Sequence, residues 1–137
     1  MAQDISTRLL AIVDALPLAP GMRVLEIGCG PGAMAREMAR RIGAGKVVAI
    51  DRSAKAIALA RAGSAQEMAS GLLEFRQSAI EGFALETEER PFDLAVAVRV
   101  GALDGRHPQA GEKARAAIAR ALGPASILVI DGRQETF

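Results

Sequence analysis

The stretch Val24-Leu25-Glu26-Ile27-Gly28-Cys29-Gly30-Pro31-Gly32 ends an apolar run in three alternating glycines, with a carboxylate two residues before the first. Glycines at this spacing let a strand turn sharply into a helix and leave the backbone open to a ligand. Gly28, Gly30 and Ala33 also fill the Gly-x-Gly-x-x-Gly/Ala dinucleotide pattern, so spacing alone does not choose the ligand. Charge helps to choose. Glu26 is a poor neighbour for a pyrophosphate and a good one for a cationic amino group. Asp51 closes the next apolar run and reads either as a ligand contact or as a strand-end cap. Cys29 has no adjacent base and reads as a small, partly buried filler.

These groups need a sheet to hold them. Ile5, Leu9, Ile12, Val13 and Leu16 recur at helical spacing until Pro17 and Pro20-Gly21 end the pattern. Residues 23–27 read as a strand entering the glycine loop, and Met34, Met38 and Ile42 as the core-facing side of the following helix, which stops at Gly43. Residues 46–51 form a second strand, and Ser53 caps an alanine-rich helix running to about Met68. Strands are expected at 72–76, 92–98 and 127–130; the last two are nearly continuous apolar runs, as in parallel strands covered on both faces. Residues 108–122 supply a helix that starts at Pro108 and ends at Gly123-Pro124. The Glu-rich segment 81–90 reads as the flexible loop. Alternating strand and helix predicts a parallel sheet with a ligand crevice at the carboxyl ends of its strands.

Half of the 137 residues are hydrophobic, enough for one packed core, so residues 1–137 are expected to form a single domain. Seventeen Lys and Arg against 16 Asp and Glu create no global field toward nucleic acid or anionic lipid. A small molecule is the expected partner. Asp4, Arg8 and Asp14 interrupt the apolar residues of the N-terminal stretch, which therefore reads as neither a signal peptide nor a membrane span, and a cytoplasmic location is expected. One cysteine and one histidine leave no multi-cysteine zinc site and no His-rich cluster, so no metal is expected.

Glu26-Ile27-Gly28-Cys29-Gly30-Pro31-Gly32 resembles motif I of the class I S-adenosylmethionine-dependent methyltransferases, and the likeness extends from the first helix through the fifth strand. It implies a Rossmann-like α/β/α three-layer sandwich and S-adenosylmethionine as cofactor. Glu26, Gly28, Gly30 and Gly32 would form its loop. Asp51 would accept from the ribose hydroxyls and Arg52 would flank the adenine. Where many members place an acidic residue after the third strand, this chain has Ser78-Ala79-Ile80-Glu81, so the adenine contact could fall to Ser78, to Glu81 or to the backbone of Ala79 and Ile80.

The loop 99–107, after the fourth strand, is the acceptor-side candidate. Arg99 is a candidate for contact with the cofactor or, with Arg106, for holding an acidic acceptor; both arginines could equally be ordinary ion-pair groups. His107 is the candidate general base, or a surface histidine flanking the next helix. The Asn/Asp-Pro-Pro-aromatic motif of many amino-group methyltransferases is absent.

Methyl transfer to a small-molecule acceptor leads the functional readings. The alternatives are an S-adenosylmethionine-binding module whose acceptor site needs a partner, and an NAD(P)-dependent oxidoreductase. Only residues 132–137 follow the fifth strand, so the expected sheet has about five mostly parallel strands and lacks the usual C-terminal antiparallel pair, as a minimal or truncated version would. Its open fifth-strand edge is then expected to pair in a homodimer.

Overall fold

The structure, a computed structural model, describes residues 5–137. Residues 1–4, the start of the stretch read above as neither signal peptide nor span, lie outside the described residues. Six strands, β1 (Arg23–Ile27), β2 (Lys46–Asp51), β3 (Leu73–Gln77), β4 (Phe92–Ala97), β5 (Leu122–Ile130) and β6 (Arg133–Glu135), form one sheet in the order β3-β2-β1-β4-β5-β6. The first five are parallel and β6 runs antiparallel to β5. Strand order reverses at β1, which lies between β2 and β4, and this places a crevice at their carboxyl ends.

Alternation along the strands builds two cores. Val24, Val47, Ala49, Phe75 and Val96 face the layer that holds α1 (Thr7–Ala15), α2 (Ala33–Arg41) and α3 (Ala54–Ala62). Leu25, Ile27, Val48, Ile50 and Leu128 face α5 (Pro108–Ala121) and a short 3-10 turn at Ile80–Gly82. Both faces of the central strands are covered, hence their apolar runs. Met34 and Met38 are core residues, as their spacing predicts.

The sheet corrects the expected architecture at its C-terminal side. The strand pair expected to be missing is present, because Asp131 and Gly132, both at positive φ, turn the chain back so that Leu128, Val129 and Ile130 pair with Glu135, Gln134 and Arg133. A two-residue turn needs no crossover helix, so a six-residue tail suffices. The β5 edge is therefore covered over its last three residues, and a homodimer through that edge loses its physical motive. β5 itself begins at Leu122, earlier than its apolar run. Leu122 pairs with Phe92 and Ile127 with Leu94, so residues 123–126 bulge out. There Ser126 Oγ accepts from the Gly123 N–H at 2.9 Å and donates to the Phe92 carbonyl at 2.7 Å. Pro124, which has no N–H for a ladder, is tolerated at such a bulge.

Two further elements differ from expectation. The alanine-rich helix capped by Ser53, whose Oγ accepts from the Ala56 N–H, breaks at Gly63, and α4 (Ala65–Ala69) follows as a separate turn. Ser64 at the break is fully buried, and its Oγ accepts from Arg36 Nη1 at 2.9 Å. The segment 81–90 is anchored. Phe83 is buried against Phe92, and the Glu89 carboxylate takes hydrogen bonds from Arg76 on β3 and Arg23 on β1.

Candidate functional site

The crevice at the strand ends has a volume of about 990 Å³. It lies where the order of the sheet reverses, the usual ligand position in open α/β sheets. Gly28, Asp51, Arg52, Ser78, Ala79, Ile80 and Arg99 line it together with Glu81, Arg106 and His107, so ten of the residues singled out as site candidates in the sequence converge there. Glu26, Gly30 and Gly32 lie behind or beside that lining and contribute differently.

Glu26, on β1, is 5% exposed, and its Oε1 is buried without a hydrogen-bond partner. Burial above all, and then the nearby Asp51 carboxylate, push its pKa up to about 8, with Arg36 opposing the rise. A buried, unsatisfied carboxyl is costly, and it is the kind of group a cationic ligand would satisfy. The same burial, with Glu26 and Asp51 as neighbours, pushes the Cys29 thiol upward, so Cys29 is an unreactive filler as expected.

The glycine loop is fixed by its surroundings. The Gly28 and Cys29 N–H groups both donate to the Ile50 carbonyl, and the Gly30 N–H donates to Asp51 Oδ2 at 2.9 Å. Gly28 has φ +74°, and a Cβ there would lie 2.8 Å from Val100 Cγ2, so a side chain would drive the β4 loop away. A Cβ on Gly30 would meet nothing within 4 Å, which leaves space above the loop. Gly32 serves packing instead: a Cβ would crowd Arg36, Phe75 and Ala60 at 3.0–3.2 Å. Asp51 Oδ1 accepts from the Ser53 N–H, so each carboxylate oxygen holds one backbone donor and keeps lone pairs for a ligand. Asp51 is thus both the strand-end cap and a crevice carboxylate.

Across β1 from Asp51, the loop after β4 supplies the other wall, with Arg99, Val100, Gly101, Ala102, Arg106 and His107. Pro108, Gln109 and Ala110, the first turn of α5, complete it. The exposed His107 ring sits against Gly101, where a Cβ would approach its Cδ2 to 2.8 Å. Gln109 and Ala110 were not legible as site residues, since only the return of α5 brings them to the crevice. Arg36 gave no signal either. It is 7% exposed, and its Nη1 donates to the Pro31 carbonyl at 3.0 Å, tying the glycine loop to the helix break at Ser64.

Residues 24–125 match the family described as "Methyltransferase domain". A ubiquinone biosynthesis O-methyltransferase from Hahella chejuensis is 32% identical over 97 residues, which cover 71% of this chain and 39% of that relative. A SAM-dependent methyltransferase from Geobacter sulfurreducens, solved with S-adenosylhomocysteine, shares the fold with a TM-score of 0.69 at 25% identity, over 95% of this chain and 49% of that one. A Thiobacillus denitrificans SAM-dependent methyltransferase, also solved with S-adenosylhomocysteine, has a TM-score of 0.70 at 22% identity, over 94% and 49%. The chain spans less than half the length of each of these relatives. With a family match across most of its strands and a glycine loop of the same pattern, this chain belongs to the methyltransferase domain family, in its class I S-adenosylmethionine-dependent form.

Proposed function

We propose that the crevice binds S-adenosylmethionine and that the domain directs its methyl group to a small-molecule acceptor. The observation that carries this reading is the buried Glu26 carboxyl, unpartnered at Oε1, behind a glycine loop that is itself bonded to Asp51. When bound, the cofactor supplies an electrophilic sulfonium methyl together with its own leaving group. Glu26 would pair with the cationic amino group. Asp51 would accept from the ribose hydroxyls, and Arg52 with the 78–80 segment would border the adenine. Ser78 Oγ donates to the Ala79 carbonyl and keeps its lone pairs, so Ser78 and Glu81 are both side-chain acceptors on that border. His107 is the wall's candidate base for an acceptor hydroxyl.

A second reading has an observation behind it. Arg99, Arg106, His107 and Gln109 are exposed, so the acceptor side could be completed by further polypeptide, as in a cofactor-binding module with a partner. An NAD(P)-dependent oxidoreductase would have to seat a pyrophosphate beside the buried Glu26 carboxyl, whose unpartnered oxygen a phosphate cannot satisfy, whereas Asp51 would suit a dinucleotide's ribose as well. Among the described residues no helix is long and apolar enough to cross a membrane, and the single buried cysteine is compatible with a reducing cytoplasm.

Calorimetry tests the proposal. S-adenosylhomocysteine is expected to bind, NAD is not, and Asp51→Ala should cost at least ~1 kcal/mol of that affinity through lost charge-assisted hydrogen bonds. NAD binding without a response to S-adenosylhomocysteine would overturn it. With cofactor binding established, turnover of labelled S-adenosylmethionine with cell metabolites by the purified chain separates an enzyme from a module that requires a partner.

A further inference from the structure

Arg99 leaves β4 in a left-handed conformation, φ +56°, that L side chains other than Asn or Asp seldom adopt. Its backbone is held there from two sides. The Arg99 N–H donates to Asp131 Oδ1 at 2.8 Å, and its carbonyl accepts from Arg106 Nη2 at 3.2 Å. Arg106 is in turn matched by Asp104, whose two oxygens accept from its Nε at 2.9 and 2.8 Å. The Arg99 guanidinium itself has no hydrogen bond or ion pair among the described residues, yet it lines the crevice. A position suited to glycine, clamped by two other side chains, therefore carries a large, exposed, unpaired cation at the wall of the cavity. Strain kept in this way points to a function for the side chain.

The crevice is also divided by charge. Asp51 and Glu81 line the side formed by β2 and β3, where Arg52 is the one cation of the lining, and Arg99 and Arg106 line the side formed by β4 and α5. No carboxylate is part of the lining on that second side; Asp104 neutralises Arg106 and Asp131 holds the Arg99 backbone from behind it, so Arg99 is the unmatched cation there. α5 begins there with no acidic residue in its first turn, so the positive end of its dipole adds to the same field.

We propose that Arg99 binds the acid group of an anionic methyl acceptor, a carboxylate or a phosphate monoester, on the β4 side of the crevice. This rests on the proposed cofactor reading, which places the transferable methyl in the same cavity. A guanidinium fork matches either acid in two parallel hydrogen bonds. The rival occupant is the carboxylate of the cofactor itself.

The test titrates benzoate, phenyl phosphate and neutral benzamide into the protein saturated with S-adenosylhomocysteine, for the natural chain and for Arg99→Gly. Glycine suits φ +56°, and both clamps act on backbone atoms, so this variant keeps the loop while losing the guanidinium. One of the two anions is expected to bind about tenfold more tightly than benzamide, the worth of a charge-assisted hydrogen bond, and the tighter of the two names the acid group. In Arg99→Gly that preference should vanish while S-adenosylhomocysteine affinity stays within about twofold. Three results overturn the proposal: no preference for an anion in the natural chain, a preference that survives the substitution, or a tenfold loss of S-adenosylhomocysteine affinity in Arg99→Gly, which would assign the guanidinium to the cofactor. Arg99→Gln, which keeps a side chain at the strained position, gives the same readout should the glycine variant not fold. A natural chain that binds no S-adenosylhomocysteine overturns the cofactor reading and the acceptor proposal together. Normal cofactor binding without a preference for anions overturns the acceptor proposal alone.

Discussion

Glu26 sets stability against function within one side chain. Its pKa in the folded domain, about 8, lies above its ordinary value of 4.5. Between those values the folded form keeps a proton that the unfolded chain has lost, so stability falls as pH rises from 4.5 to 8 and levels off above. Glu26→Gln removes the ionisable group while keeping its shape. It should stabilise the ligand-free domain by about 2 kcal/mol at pH 8, and by progressively less toward pH 4.5. Urea unfolding across that range checks this, and equal stabilisation at every pH would mean that Glu26 ionises freely. Binding should move the other way, because a cationic amino group needs the ionised carboxylate: S-adenosylhomocysteine affinity should rise with pH up to about 8 in the natural chain and be weaker and flatter in Glu26→Gln. At this scale the sequence was most informative. The residues from Glu26 to Gly32 and Asp51 sit on short contiguous segments, where type and spacing suffice. Gln109, Ala110 and the tie made by Arg36 depend on chain returns of many residues, which local spacing does not encode.

Among the elements, those with apolar periodicity were legible and those held by polar or backbone contacts were not. β4 and β5 announce themselves by apolar runs, whereas β6 is Arg-Gln-Glu, too short and too polar for any pattern. The 81–90 segment reads as flexible by composition because Phe83 and Glu89 have their partners outside it, Phe83 on the strand that follows and Glu89 on β3 and β1. Hydrogen bonds from Arg76 foremost, with Arg23 adding charge, hold the Glu89 carboxyl down at about 2. The sign is opposite to that of Glu26: this stabilisation is present above pH 4.5 and is lost as pH falls toward 2. Glu89→Ala should cost about 2 kcal/mol at neutral pH, since it leaves two nearly buried guanidinium groups short of a partner, and the cost should shrink in acid. A neutral effect in denaturant titration would show that the segment is not pinned by this pair. Gly45 makes a sharper case. A Cβ there would be driven into the Met22 carbonyl and would come within 2.8 Å of the Met22 nitrogen, where β1 and β2 start together. Gly45→Ala should therefore destabilise by about 3 kcal/mol, far beyond the usual loss for a loop glycine, because two backbones must separate. Thermal unfolding reads this directly.

For the whole molecule, the tail decides how the sheet ends. β6 covers the β5 edge at Leu128, Val129 and Ile130, and it presents outward only three residues, two of them charged. A short, charged edge strand resists pairing with another chain, whereas the uncovered β5 edge would be long and apolar. The tail also meets the site, because the turn that launches β6 carries Asp131, whose Oδ1 holds the Arg99 N–H and whose own N–H donates to the Ala97 carbonyl. Removal of residues 133–137 should thus act in two places. It leaves the backbone groups of residues 128–130 unpaired at a sheet edge beside an apolar groove formed by Ile12, Leu16, Ile127 and Val129. It also frees the turn that clamps Arg99. Light scattering should show the intact chain as a monomer at micromolar concentration and the shortened chain associating in proportion to concentration. The ion pair of Arg115 with Glu135, 3.7 Å and partly exposed, is lost as well, but such pairs contribute less than about 1 kcal/mol and would not drive association. A shortened chain that stays monomeric would show that three ladder pairs are not what protects this edge. A dimer of the intact chain would place the interface on the outer side of β6, where the charges of Arg133 and Glu135 would have to meet their opposites across a two-fold axis.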